Sequence, residues 1–252
     1  MATYILVHGA WHGGWCWRKV TPLLRAHGHD VYTPTLTGLG ERSHLAHPLV
    51  GLETHVQDVV NVLTYEDLSE VIIVGHSNGG TLITAVAEQE PKRLAHLVYL
   101  DAFVPEDRQS TLDLASMNFP QEAWEALIHT EGFGWLVPGL RPVPWDTFVR
   151  DVWRVDDEAD RRWMVERLGP TPAKVFTDPI RRFDPAAAAL PRTYIRCIQN
   201  ESRAFDLFAE TARTTPGWHY RELVSGHEPF VTMPNEFVDL LLDIGGKRHE
   251  QS

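Results

Sequence analysis

The run Val71-Ile72-Ile73-Val74 passes directly into Gly75-His76-Ser77-Asn78-Gly79-Gly80, and that in turn into a helix-forming stretch from Thr81 to Gln89. No other segment restricts the fold as tightly. Four consecutive apolar, β-branched positions do not alternate with polar ones, so they predict a strand buried on both faces in the middle of a parallel sheet. Such a strand must hand the chain to its covering helix through a sharp turn. Glycines two residues before and two after Ser77 remove Cβ atoms that would collide across that turn, and Ser77 itself is forced into a strained backbone conformation. Its hydroxyl is then expected to project from the carboxyl end of the sheet. A negative charge forming there would meet the positive end of the next helix and the backbone N–H of Asn78. The plainer alternative is a small-residue loop that merely packs helix against strand, and the elements on both flanks favour a nucleophile.

The junction belongs to a longer rhythm. Short strands at Tyr4 to Val7, Asp30 to Tyr32, Val71 to Val74 and Leu97 to Leu100 alternate with helical stretches at Trp17 to Ala26, Leu52 to Thr64 and Leu82 to Gln89. That order predicts the α/β class: right-handed βαβ crossovers and a mostly parallel sheet flanked by helices. After Asp101 the rhythm changes, and residues 104–190 read as an insert with helices near Gln121 to His129, Trp145 to Val152 and Glu158 to Leu168. It returns with a strand at Arg192 to Ile198, a helix from Ala204 to Arg213, a strand at His219 to Val224 and a helix from Asn235 to Asp243. The expected organisation is a core of residues 1–103 and 191–252 split by a cap of residues 104–190, with Gly245 to Ser252 a frayed tail.

Composition narrows the partners. Twenty-three basic residues against 34 acidic ones give a formal charge of −11, and no Lys or Arg run interleaves with aromatics, so neither nucleic acid nor an anionic membrane surface is an expected partner. The first residues lack the charged region, apolar core and cleavage site of a secretory signal, and the expected location is cytoplasmic. Cys16 and Cys197 are too few for a disulfide framework and read as buried thiols.

A serine nucleophile needs a base delivered by another part of the fold. His227 follows the last predicted strand in Leu223-Val224-Ser225-Gly226-His227-Glu228-Pro229, which brings it to the same sheet edge as Ser77. A second donor to the oxyanion is expected from the glycine-rich turn His8-Gly9-Ala10-Trp11-His12-Gly13-Gly14-Trp15, with Ala10 N–H the candidate beside Asn78 N–H. His8, His12 and Cys16 are spaced by four, but that spacing aligns metal ligands only on a helix, so neither a metal nor another cofactor is expected.

Those three segments, the His8-to-Trp15 turn, the Gly75-to-Gly80 elbow and the Gly226-His227 loop, resemble the α/β-hydrolase superfamily over nearly the whole chain. The closest resemblance is to the branch of plant methylesterases, salicylate-binding esterase, hydroxynitrile lyases and bacterial pyrethroid-hydrolase-like esterases. It implies a cofactor-free serine hydrolase core with a small cap where residues 104–190 stand. Plant members carry the triad acid just after the strand matching Tyr194 to Ile198, where this chain has Gln199-Asn200. The superfamily's second solution, which some haloalkane dehalogenases and the zearalenone lactonases resemble, puts the acid after the strand that follows the nucleophile helix. Asp101 stands there, and is favoured over Glu201 and Asp206 as the partner of His227.

The implied function is hydrolysis of a small neutral aryl or alkyl ester through an acyl-enzyme. Two alternatives belong to other classes: a hydroxynitrile lyase, or a small-molecule receptor with a residual triad. Lyases of this branch resemble one another in having Thr where Gly9 stands and Lys where Glu228 stands, and a negative Glu228 beside the base would repel a cyanide-like anion. Cap aromatics Trp124, Phe133, Trp135, Trp145, Phe148, Trp153 and Trp163 supply candidates to roof the serine. The expected partner is a small-molecule ester, and a homodimer is left open.

Overall fold

The computed structural model describes residues 1–139 and 143–246. Eight strands are present among these residues: β1 (Thr3–Val7), β2 (Asp30–Tyr32), β3 (Val71–His76), β4 (Leu94–Leu100), β5 (Leu136–Val137), β6 (Thr171–Pro172), β7 (Arg192–Cys197) and β8 (Trp218–Leu223). Six of them form one sheet in the order β2-β1-β3-β4-β7-β8, parallel throughout. β5 and β6 pair separately as a short antiparallel ribbon.

The unbroken apolar run at β3 is explained by what lies on the two sides of the sheet. Ile5, Val7, Val71 and Ile73 enter one hydrophobic core with Val56, Val59 and Leu63 of the helix Leu52–Tyr65 and Leu82, Ile83 and Val86 of the helix Gly79–Gln89. Their alternate neighbours Tyr4, Leu6, Ile72 and Val74 enter the opposite core with Trp17, Leu24, Phe237 and Leu241. Successive side chains of a strand point to opposite faces, so a strand covered on both must be apolar at every position. All six residues of β3 are buried.

Because the strands are parallel, the segments following β1, β3, β4, β7 and β8 emerge at one edge. Between β4 and its neighbour β7 the chain makes a long excursion containing the helices Gln121–Thr130, Trp145–Asp151 and Glu158–Val165 and the β5-β6 ribbon. Trp124, Phe148, Trp153 and Met164 of this excursion join the same core as Leu6 and Val74.

Two local expectations are revised. The stretch Trp17 to Ala26 is not one helix: a 3-10 turn at Gly14–Lys19 gives way to the helix Thr21–Ala26, whose start Pro22 favours. The last helix runs Pro234–Gly246, and Gly245 is buried against Tyr4 rather than frayed, since a Cβ there would lie 2.6 Å from the Tyr4 hydroxyl. Residues 247–252 of the expected tail lie outside the described residues.

Close approach at the start of the helix Gly79–Gln89 admits no side chain at Gly80, where a Cβ would fall 2.3 Å from the Phe103 carbonyl oxygen. Gly80→Ala should therefore lower the unfolding free energy by about 1–3 kcal/mol in urea titrations, the usual cost of overpacking. An unchanged midpoint would mean that the 102–103 segment yields without penalty.

Candidate active site

Ser77 occupies the turn between β3 and the helix Gly79–Gln89 with φ of 55°. This left-handed conformation costs a non-glycine residue roughly 1–3 kcal/mol and persists only where surrounding bonds enforce it. Here Ser77 N–H donates to Leu100 O at 3.2 Å, and its carbonyl accepts from Gly80 N–H and Phe103 N–H, both at 3.1 Å. Gly75 is needed two residues earlier because a Cβ there would sit 2.5 Å from Gly79 O. Trp11 and Asp101, on neighbouring loops, also have positive φ, 65° and 43°.

Asp101, at the end of β4, is fully buried. Its Oδ2 accepts from His227 Nδ1 at 2.7 Å and from Asn200 Nδ2 at 2.5 Å. Its Oδ1 accepts from Arg196 Nη1 at 2.7 Å and from Cys197 N–H at 3.2 Å. Asn200 Nδ2 also lies 3.1 Å from His227 Nδ1. With the Nδ1 proton directed at Asp101, both nitrogens of that contact are donors, so it is no hydrogen bond, and His227 Nε2 is left as the acceptor. The other two candidate acids stand apart from His227. Asp206 accepts from Arg196 Nε at 3.0 Å and Nη2 at 2.8 Å, while Glu201 is exposed and pairs with Arg154 at 3.4 Å.

Ser77, His227, Ala10 and Asn78 all line one cavity. Among the described residues, neither Ala10 N–H nor Asn78 N–H donates a hydrogen bond. The Ala10 loop is anchored by His12 Nδ1–H to Ala10 O at 2.7 Å, by Trp11 N–H to Thr171 Oγ1 at 2.8 Å and by Trp11 Nε1–H to Val137 O at 2.9 Å. Two of these three anchors come from the β5-β6 ribbon.

Aromatic rings form much of the cavity wall. Trp124, Phe148 and Trp153 of the excursion line it, as expected, whereas Phe133 is exposed and Trp135, Trp145 and Trp163 lie elsewhere. Trp145 instead packs edge-on against Trp11, and Trp163 against Trp15. Trp11, Phe103, Phe119, Phe176 and Phe205 also line the cavity, and the Phe205 ring stacks on His227 with centroids 5.4 Å apart. Asn118, Glu201 and Ser202 make one polar side.

Residue-type reasoning missed Arg196, although a charged residue inside the strand Arg192–Cys197, between Ile195 and Cys197, is a readable anomaly. It also missed His76, whose Nε2–H donates to His227 O at 3.0 Å and whose ring lies 4.4 Å from the His227 ring. Glu228 requires a correction. It is fully buried, does not line the cavity, and its carboxyl, without a hydrogen-bond partner among the described residues, faces His12 Nε2 at 3.5 Å. Burial, and then the Asp101 charge, push the Glu228 carboxyl well above the usual carboxylate range, toward its neutral form.

Burial likewise lowers His8 to about 3 and His12 to about 4, and pushes His76 well below the ordinary histidine value. His8 donates through Nδ1 to Gly9 O at 2.8 Å and accepts at Nε2 from Leu36 N–H, which leaves no nitrogen for a metal. Among the described residues, His76, His227 and Glu228 bring potential ligand atoms within 4.8 Å of one another. His76 Nε2 and His227 Nδ1 are already committed, so an ion there could use only His76 Nδ1, His227 Nε2 and the Glu228 carboxyl.

These buried neutral groups give opposite pH slopes. The histidines contribute stability above pH 6.5 that is lost as pH falls toward their folded values. Glu228 does the reverse: its contribution is complete below its ordinary value of 4.5 and declines as pH rises, because only the unfolded chain ionises. The stability gain of Glu228→Gln over the parent should therefore grow between pH 4.5 and 8, with a slope of at most about 1.4 kcal/mol per pH unit. Urea titrations at several pH values measure it, and a pH-independent difference would show that Glu228 ionises in the folded protein.

A family profile described as "Alpha/beta hydrolase family" matches residues 4–240. The chain is 38% identical over 249 residues to the carbendazim hydrolyzing esterase of Nocardioides sp. (strain SG-4G), covering 97% of this chain and 100% of that one. It is 37% identical over 126 residues to methylesterase 1 of Arabidopsis thaliana, 48% of each chain. Among solved structures, an extracellular alpha/beta-hydrolase from a Paenibacillus species superposes with a TM-score of 0.82 at 24% identity, over 96% of this chain and 98% of that one.

Proposed function

Since the chain belongs to the alpha/beta hydrolase family, we propose that it is a serine carboxylic-ester hydrolase acting on small neutral hydrophobic esters. The observation that carries this reading is the Asp101–His227 pair at 2.7 Å, with His227 lining the same cavity as the strained Ser77. His227 Nε2 takes the hydroxyl proton as Ser77 Oγ attacks the ester carbonyl, and Asp101 stabilises the imidazolium that results. The tetrahedral oxyanion is met by the N–H groups of Ala10 and Asn78, where donors fixed in advance need no reorganisation. The imidazolium then protonates the departing alcohol, leaving the acyl group on Ser77. Water, deprotonated by His227, attacks that acyl group, and the carboxylic acid leaves as Ser77 recovers its proton.

The excursion between β4 and β7 acts as the cap. Trp124, Phe148 and Trp153 supply an apolar aromatic lining suited to an aryl or alkyl group. The similarity to an esterase named for carbendazim, over 97% of this chain and 100% of that one, adds support for ester hydrolysis. The lyase alternative is disfavoured at Gly9, where a Cβ would lie 3.0 Å from both Ser77 Cβ and His76 Nδ1 and a threonine would crowd the serine.

Screening carbendazim and a panel of neutral aryl and alkyl esters with the parent and its variants tests the proposal. Ser77→Ala and His227→Ala should each lower kcat by at least about 10³ without unfolding the protein. Asp101→Asn should cost about 10³–10⁴ by permitting the wrong imidazole tautomer, and Glu201→Gln far less. Near-parental turnover in Ser77→Ala would remove the serine mechanism. Treatment with a chelator should leave the rate unchanged, because the oxyanion is held by backbone donors, and loss of activity restored by zinc would place the chemistry on a metal instead.

A further inference from the structure

Arg196 has no part in the reaction steps above, yet it touches the carboxylate on which the proposed base depends. Its Nη1 lies 2.7 Å from Asp101 Oδ1, its Nε and Nη2 hold Asp206 Oδ1 at 3.0 and 2.8 Å, and its side chain is 4% exposed. The same guanidinium donates to Cys197 O and Asn200 O, both at 2.5 Å, so all its nitrogens are committed in one orientation. We infer that Arg196 is a positioning residue that fixes the acid limit of the enzyme's activity by offsetting the Asp101 charge, with Asp206 restoring part of that charge from the protein surface. This rests on the hydrolase reading given above.

Asp101 and Arg196 alone sum to zero, so an imidazolium formed at His227 would face a neutral pair. Asp206 makes the trio net negative, and the imidazolium completes the balance. An arginine this close offsets the carboxylate charge that favours an imidazolium, and removing it leaves that charge uncompensated. The other groups around His227 do not supply this control. His76 and His12 are kept neutral by burial, and so is Glu228 on the same loop. Glu201 and Arg154 form an exposed pair whose charges largely cancel. Asn200 is uncharged, and its amide serves Asp101.

Pivotal evidence would come from the acid limb of the kcat/KM-versus-pH profile, measured with a neutral aryl ester. In Arg196→Gln the limb should move to higher pH by about 1 unit, the size expected for removing a charge at this range. In Asp206→Asn it should move the other way by a few tenths of a unit, because Asp206 is 67% exposed and screened. Arg196→Lys should leave the limb near its parental position while lowering kcat, since an ammonium keeps the charge but not the fork that grips Asp101 and Asp206 together. If Arg196→Gln fails to fold, Asp206→Asn and Arg196→Lys still decide the matter. A purely structural role predicts lower plateau rates with an unmoved limb in all variants, and shifts of the same sign in Arg196→Gln and Asp206→Asn would also overturn the inference. Following the His227 ring by NMR across the same pH range separates the two readings. Opposite shifts in ring titration would sustain the electrostatic role even if Ser77→Ala retained activity and the serine mechanism fell.

Discussion

A carboxylate with no exposure to water organises the functional edge of this protein. Burying an ion is unfavourable by several kcal/mol unless donors replace its hydration. Asp101 meets that demand with four donors, from Arg196, Cys197, Asn200 and His227. Three of the donors come from the end of β7 and its turn, and one from the loop after β8. The carboxylate thus ties the ends of three adjacent strands together and sets the ring of His227 while doing so. Removing it would leave a buried guanidinium with Asp206 in place of two carboxylate partners, and an imidazole without its orienter.

The turn at Ser77 depends on that arrangement from the other side. Its left-handed backbone is held by Leu100 O, one residue before Asp101, and by the N–H of Phe103, two residues after it. The segment that positions the acid therefore also holds the serine in its strained conformation. Gly75 and Gly80 permit the close contacts that this requires, the first against Gly79 O and the second against Phe103 O. The Ala10 loop is fixed separately, by His12 from below and by the β5-β6 ribbon of the excursion. Both the proposed roof and the proposed oxyanion site thus draw on the same inserted segment.

Beneath His227 the interior is polar in composition but neutral in charge. His12, His76 and Glu228 are fully or almost fully buried, and burial drives each toward its uncharged form. Formal charge near the imidazole is confined to the Asp101–Arg196–Asp206 chain and the exposed Glu201–Arg154 pair. In a low-dielectric interior the few remaining charges act strongly, because little water is present to screen them.

The sequence by itself determined the α/β class, the central position of β3, the serine at its turn and the order in which Ser77, Asp101 and His227 occur. These follow from local rules: consecutive apolar residues need two covering faces, a turn between packed elements needs glycine, and a loop after a parallel strand emerges at the carboxyl edge. Tertiary structure alone decided which carboxylate meets His227. Asp101, Glu201 and Asp206 all reach the same edge by topology, and they differ only in the direction and burial of their side chains. It also decided that Glu228, adjacent in sequence to His227, turns into the core, where burial pushes it toward its neutral form, rather than facing the cavity as a charge. The wall of the cavity was legible only in part, since Trp124, Phe148 and Trp153 face it while Trp135, Trp145 and Trp163 do not. Local periodicity places a side chain on its own element. Which neighbour it meets, and so whether it is charged, is fixed only when distant segments pack.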